Sequence, residues 1–391
     1  MEKFTLSAAY DRAANFDDEW VASGTNTNSI DSYFLSITNN SEIPFGVLKL
    51  QPNEFLEEAY ADIGTLNNGY AIQQAFLGYW SGIIDPENLD DDTNNDETNY
   101  VSNIASGSFN QEHLYSATGY NGKFAFNFAT DYDDKFFFGL NLNTHFINYE
   151  KFTRLNETNS NNGSVVNNLT FENLLTTNGS GFSFQFGAIA KLTSELRAGV
   201  SYNSPTWYRI SEELVQGIDS NNADPDIGFI SDVVNIYPEY KFQTPGKITG
   251  SLAYVFGRKG LLSFDYTVKD YSSTKFRPTT DISFSNLNTD IGDALTTAST
   301  YRIGGEYRYK QLSFRGGYRF EESPYKDNTA YGDLTGYSLG LGYSFGDLNL
   351  DLAFSQAERD MNYQLYTIGL TDSARIESKF TDVTLSLAFK I

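Results

Sequence analysis

Large apolar residues alternate with small or polar ones along most of this chain, with a period of two. In "GSGFSFQFGAIAKLTSELRAGVSYNSPTWY" (179–208), Phe182, Phe184 and Phe186 take turns with Ser183, Gln185 and Gly187. After "LTSE", Leu196, Ala198, Val200 and Tyr202 take turns with Arg197, Gly199, Ser201 and Asn203. Successive side chains of a strand point to opposite faces, so the pattern predicts strands with one apolar and one polar face. The same reading predicts about twelve strands, near 3–11, 119–130, 136–149, 181–191, 196–208, 241–256, 261–270, 300–309, 311–320, 336–346, 348–357 and 380–391.

The connectors decide which way the Phe face looks. Short turns at 131–134, 192–195, 257–260, 309–311 and 346–347 alternate with long polar connectors at 12–118, 151–180, 209–239, 271–299, 321–335 and 358–379. A sandwich has no reason to sort its loops so strictly, whereas an outer-membrane barrel has short turns at one rim and long loops at the other. The predicted strands are also long enough to cross a bilayer at a tilt. The expected fold is therefore all-β, a transmembrane antiparallel β-barrel forming one domain over residues 1–391, with Phe182, Phe184 and Phe186 toward lipid. The last stretch, "TDVTLSLAFKI", puts Val383, Leu385, Leu387, Phe389 and Ile391 on one face, as a closing strand would.

Composition sharpens this reading. There are 27 Tyr and 31 Phe against 3 Trp and 2 Met, an excess that suits the aromatic girdles of a barrel. No apolar run is long enough for a transmembrane helix. The net charge of −23 argues against nucleic-acid binding. Cysteine is absent, which leaves no disulfide framework and no thiolate metal site. With His113 and His145 as the only histidines, no catalytic or metal constellation can be assembled, so neither an enzyme nor a cofactor is expected. The acidic block "DPENLDDDTNNDE" (85–97) reads as a solvated loop, or alternatively as a calcium loop. The opening "MEKFTLSAAY" has no apolar core and is not a signal peptide.

Two regions carry candidate chemistry. The first long connector has helical texture: "SIDSYFLSI" (29–37), "NEFLEEAYADIG" with Asn53 as N-cap, and "GYAIQQAFLGYWSGII", whose Ile72, Phe76, Tyr79, Trp80 and Ile83 share a stripe. Such stripes either pack on one another or wall a groove for a hydrophobic solute. The polar strand faces supply His145, Arg197, Lys247, Asp265, Lys269, Arg302, Glu306, Arg308, Arg315, Arg319 and Asp351 to the lumen. Arg302, Arg308, Arg315 and Arg319 should form one basic patch around Glu306, either bracing the wall or contacting a solute carboxylate.

Several stretches resemble the FadL/TodX type of outer-membrane transporter for hydrophobic compounds, in its Bacteroidota-like branch. They are "LLTTNGSGFSFQFGAIAKLTSELRAGVSYNSPTWY" with its Ser204-Pro205-Thr206-Trp207-Tyr208 end, "FQTPGKITGSLAYVFGRKGLLSFDYTVKDYSS" (242–273), and "NSIDSYF" in the first loop. The resemblance implies a bacterial outer-membrane location and passive uptake of hydrophobic compounds such as long-chain fatty acids. Capture would occur in the loop groove lined by Ile72, Phe76, Tyr79 and Trp80. Arg302, Arg308, Arg315 and Arg319 would then receive a carboxylate in the lumen, and release would follow through a wall opening or past the hatch. Outer-membrane lipids and hydrophobic small molecules are the implied partners. Members of this family have fourteen strands and an N-terminal hatch; the sequence here looks like the family without its signal peptide, hatch and first two strands. The competing expectation is a scaffold barrel that partners other envelope proteins in a secretion or barrel-assembly complex.

Overall fold

The computed structural model describes residues 3–88 and 94–389. Residues 89–93, the Asp-rich middle of the acidic stretch 85–97, and the terminal Lys390 and Ile391 lie outside the described residues, so the core of the calcium alternative and the last step of the closing alternation do too. The chain begins with β1 (Phe4–Asn15) and β2 (Asp18–Asn26) and rises into a loop carrying α1 (Asp31–Asn40), α2 (Leu56–Gly64), α3 (Gly69–Trp80) and a small hairpin, β3 (Ile84–Pro86) and β4 (Tyr100–Ser102). The wall continues with β5 (Phe109–Tyr132), β6 (Phe136–Asn159), β7 (Asn168–Lys191), β8 (Leu196–Asn203) and β9 (Trp207–Ser220). Then come β10 (Asn235–Ile236), β11 (Tyr240–Gln243), β12 (Lys247–Val255), β13 (Gly260–Asp270), β14 (Lys275–Arg277) and α4 (Ile282–Ala294). The chain closes with β15 (Thr297–Tyr309), β16 (Leu312–Glu321), β17 (Leu334–Ser344), β18 (Leu348–Gln364) and β19 (Ser373–Phe389).

Four of the wall spans are broken strands. β1 and β2 both pair with β5. β8 and β9 follow one another along β7. β11 and β12 likewise run along β14 and β13. Joined this way, the elements make twelve antiparallel spans in sequence order, and every short turn falls at one rim, as the loop sorting predicts. β1 and β2 pair only with β5, and β19 only with β18, among the described residues. The two edges meet near the long-loop rim, where Trp20 of β2 packs edge-on against Tyr363 of β18 at 4.9 Å. Asn28 Nδ2 also donates to Asp372 at 2.9 Å.

The wall is taller than the sequence pattern suggests. β5, β6 and β7 have 24 residues each, about twice what a tilted crossing needs. The first long connector therefore spans 27–108 rather than 12–118, and the next shrinks from 151–180 to 160–167. The reason is visible on the outer face. Below, it carries Phe138, Leu140, Leu142, Phe182 and Phe186, all exposed; above, on the same even positions, it carries Asn148, Glu150, Arg154 and Asn178. In the upper wall apolar residues fall on both faces, Phe152 and Leu174 outside and Leu155 and Phe171 inside, so no period-two contrast marks its strands. The Phe face does point outward, while Ser183 is buried in the lumen, bonded to His145 Nε2 at 2.8 Å.

The hydrophobic core of the described residues sits among the long loops rather than in the barrel. Ile30, Phe34, Tyr60, Phe76, Leu77, Ile83, Leu155 and Phe171 are buried together there. α2 starts later than expected: Asn53 is in a left-handed turn (φ 66°), and Phe55 holds the N-cap position.

Candidate functional site

Two breaks in the wall shape the lumen. The first separates β1 from β2 at Phe16–Asp17, opposite Gly119. Asp17 Oδ1 accepts from Thr118 Oγ1 and from the Gly119 amide, both at 3.1 Å, and the Phe16 amide donates to the Gly119 carbonyl at 3.0 Å. Gly119 has φ 128°, and a Cβ there would sit 2.1 Å from the Asn148 carbonyl oxygen, so only glycine suits this bulge. The bulge turns Phe16 into the lumen, edge-on to Tyr149 at 5.4 Å.

The second break crosses three adjacent spans at 204–206, 244–246 and 271–274. Pro205 and Pro245 cannot donate to a sheet ladder, which is why central strands yield here. The Ser204 hydroxyl accepts from the Phe184 amide at 2.9 Å and steadies the bulge. Beyond it, Tyr240, Phe242 and Phe276 come together, with Phe276 5.4 Å from Tyr240 and 5.1 Å from Phe242. Phe284 of α4 stacks on Phe276 from above at 5.6 Å.

Between the breaks lies a cavity of about 510 Å³, lined by Phe16, Tyr115, Ile147, Tyr149, Leu175, Ile210, Tyr240, Phe242 and Phe276, with Asp18, Thr177 and Glu212 among them. Gly179 makes room: a Cβ there would meet Ile210 Cδ1 at 2.6 Å. Such a lining binds apolar and aromatic groups by burial and ring contact, with a few polar atoms for orientation. Its two carboxylates disfavour an anion at this level.

The residues expected to line a groove in the loops lie elsewhere. Phe76 is completely buried and Ile72 nearly so, while Tyr79 and Trp80 are half-buried against the same core. Trp80 Nε1 donates to the Leu48 carbonyl at 2.9 Å, and Tyr79 meets Phe45 edge-on at 5.0 Å. The stripe fills the loop core, because three helices and a hairpin leave it no open side. The loop is pinned to the wall by Glu157 of β6. Its carboxylate accepts from Ser29 Oγ, from the Ile30 amide at 3.1 Å and from Gln111 Nε2 at 2.8 Å. Burial pushes the Glu157 carboxyl up from the ordinary carboxylate range.

The lumen arginines do not form one patch. Arg308 and Arg315 both bind Glu306, and Arg315 also reaches Asp351 at 2.5 Å. Nearer the long-loop rim, Arg319 and Arg359 share Glu321. Arg302 makes no ion pair within the described residues. Two clusters replace the single patch because Glu321, Asp351 and Arg359 bring charges that a two-strand view omits. The cavity residues were missed for a related reason: they come from seven spans, from Phe16 to Phe276. The prolines at 205 and 245 were the signal that the wall bends there.

A sequence profile described as outer membrane protein transport protein (OMPP1/FadL/TodX) matches residues 93–375. No curated protein matches the chain. Among solved structures, it is similar to a Pseudomonas aeruginosa FadL homologue at 14% identity, over 72% of this chain and 74% of that one, with a TM-score of 0.50. It is also similar to the P. putida toluene transporter TodX at 14% identity, over 74% of this chain and 81% of that one, TM-score 0.45. The Ralstonia pickettii toluene transporter TbuX matches at 14% identity over 74% and 79%, TM-score 0.42. At these identities the likeness concerns the fold. The profile covers well over half of the sequence, and with the barrel architecture it establishes that this chain belongs to the OMPP1/FadL/TodX family of outer-membrane transport proteins.

Proposed function

We propose that this outer-membrane channel for hydrophobic compounds passes molecules with long apolar portions, long-chain fatty acids among them, through the aromatic cavity of its lumen. The observation that carries the reading is that cavity: about 510 Å³ of space lined mainly by aromatic and aliphatic side chains, with Asp18, Thr177 and Glu212 among them. A solute leaving water at the loops gains burial in the cavity, roughly 25 cal/mol per Å² of apolar area, and needs no coupled energy source to move down its gradient. The bulge at Phe16–Asp17 adjoins the cavity, and a release route through the wall would pass there. Direct titration tests this. Tyr240→Ala with Phe276→Ala should weaken binding of a long-chain alcohol at least about tenfold, since each large side chain contributes about 1.5–3 kcal/mol when fully buried. Unchanged affinity in a folded variant would remove the cavity from the path.

One observation favours a second reading, a scaffold for other envelope proteins. β1/β2 and β19 each offer a row of backbone groups without a strand partner among the described residues, and such edges recruit strands. Purification in mild detergent separates the readings: proteins retained in fixed stoichiometry support the scaffold.

A further inference from the structure

A groove with about 670 Å³ of space lies on the wall near the short-turn rim, bordered by Phe256, Lys259, Leu262, Tyr307 and Phe314. Register fixes the side it faces. Leu262 lies opposite Gly305, and Gly305 opposite Gly316. Asp265 and Arg302 face each other in the lumen, three residues away along each strand, so the row of Leu262, Gly305 and Gly316 points to lipid. A Cβ on Gly305 would stand 3.6 Å from Leu262 Cδ1, on that same side, and one on Gly316 would meet nothing within 4 Å. The floor of the groove is therefore bare backbone. Around it the outward side chains of Leu262, Tyr307, Phe314 and Leu339 are large and exposed. Gly260, where a Cβ would sit 2.1 Å from the Glu306 carbonyl oxygen, carries the groove down to the 257–260 turn.

The turns at the mouth of the groove are basic. Arg258 and Lys259 occupy one, and Lys310 the next, tied together where the Arg308 amide donates to the Lys259 carbonyl at 2.7 Å. Lys310 Nζ rests over the exposed Tyr309 ring at 5.4 Å. None of these three cations has an ion pair among the described residues. The flanking turns add one acid each, Glu195 and Asp347, and the Glu195 carboxylate accepts from the Thr193 and Ser194 hydroxyls. Glu306 and Asp351 face the lumen, bound to Arg308 and Arg315. Tyr254 and Phe256 pack at 4.8 Å beside the mouth, as the aromatic girdle of a membrane interface does. An apolar groove thus opens at the interface beneath unpaired positive charge, in a chain of net charge −23.

We infer that this groove binds one anionic glycerophospholipid of the periplasmic leaflet. An acyl chain lies over the bare backbone at Gly305 and Gly316, and the head group meets Arg258, Lys259 and Lys310. The short turns of outer-membrane barrels lie on the periplasmic side, where the leaflet is built of glycerophospholipids. A chain in the groove supplies the contacts that the absent side chains leave unmade. Clustered basic residues at a membrane surface favour anionic head groups, and a phosphate gains charge-assisted hydrogen bonds there. The site is on the lipid side of the wall, so it stands independently of the lumen cavity and of what passes through it.

Native mass spectrometry of the full chain in a mild non-ionic detergent tests the site, with phosphatidylglycerol, phosphatidylcholine and lipid A offered in equal amounts. The unaltered protein should retain one phosphatidylglycerol in preference to the other two, a readout that does not depend on any variant folding. Gly316→Leu fills the groove, in space open to a side chain, and should lower that retention about tenfold or more. Gly250→Leu, at an outward position of β12 that is equally open, should leave it unchanged. Arg258→Gln with Lys259→Gln and Lys310→Gln should bind phosphatidylglycerol and phosphatidylcholine alike. Equal retention by the Gly316→Leu and Gly250→Leu variants, or no head-group preference in the unaltered protein, would overturn the site. So would lipid A, or a second copy of the chain, retained in place of the phospholipid.

Discussion

Thr206 and Thr244 hold each other across the wall at the level where three spans bend. The Thr244 amide donates to the Thr206 carbonyl at 3.0 Å, and the Thr206 amide donates to Thr244 Oγ1 at 3.2 Å. A side-chain oxygen thus replaces the ladder acceptor that Pro245 displaces, and Ser204-Pro205-Thr206 and Thr244-Pro245 become one structural unit. Thr244→Val leaves the Thr206 amide without its acceptor and should cost about 1–3 kcal/mol. Thr244→Ser keeps the oxygen and should stay close to the unaltered protein. Urea unfolding in micelles measures both; equal midpoints for Val and Ser would show that the hydroxyl does not carry the bulge.

The outer face is tested by charge. Phe186 is exposed on the apolar belt, and Phe186→Arg should destabilise the barrel by about 2–4 kcal/mol if it lies near the midplane. Ser201 of the neighbouring β8 faces the lumen beside Gly187 and Thr249, so Ser201→Arg should be much milder. Ser183 is unsuitable for this comparison, because it is buried against His145 and Asn143. Folding into lipid vesicles gives the order of the two variants, and a reversed order would exchange inside and outside.

Glu157 should govern how the loop helices dock. Its carboxyl is raised by burial, with Asp31 adding repulsion, so the docked loop favours the protonated acid. The stabilisation is therefore fully present below the ordinary carboxylate value of 4.5 and declines as pH rises through the raised one. Proteolysis of the 27–108 loop should quicken over that range, and Glu157→Gln should flatten the dependence. Glu157→Ala strands three donors and should expose the loop at every pH while the barrel stays resistant.

His113 predicts the opposite trend at the edge of the sheet. Its ring lies 5.7 Å from Trp20 and 6.0 Å from Tyr363, and neither nitrogen has a hydrogen-bond partner. Burial, followed by the charge of Lys151, pushes it down from 6.5 to about 4. The packed state holds the neutral ring, so stability falls as pH drops below 6.5 and the loss is complete near 4. Trp20→Phe paired with fluorescence at Trp80 and Trp207 isolates the Trp20 signal, which should shift over this interval. A flat Trp20 signal would mean that the contact with Tyr363 does not depend on the neutral imidazole.

The sequence by itself determined the barrel, its twelve spans, the rim at which each loop lies, and the outward direction of Phe182, Phe184 and Phe186. Lipid and lumen act on alternate side chains of one strand, so that information is local and a period of two displays it. The upper wall escaped because water and polar loops on its outer face impose no such contrast. The stripe of Ile72, Phe76, Tyr79 and Trp80 was legible as apolar, but a stripe reads the same whether it walls a groove or fills a core. Only the packing of α1, α2 and α3 decided for the core. The lumen was legible as a set of residues and not as a set of partners. Arg315 chose Glu306 and Asp351, Arg319 chose Glu321, and Lys247 was left facing Lys269. Those outcomes depend on which spans become neighbours and at what register, distances that close over dozens to hundreds of residues. Tertiary structure alone brought Phe16 across from Phe276, because a bulge opposite Gly119 and a kink at Pro205 and Pro245 had to bend the wall from both sides.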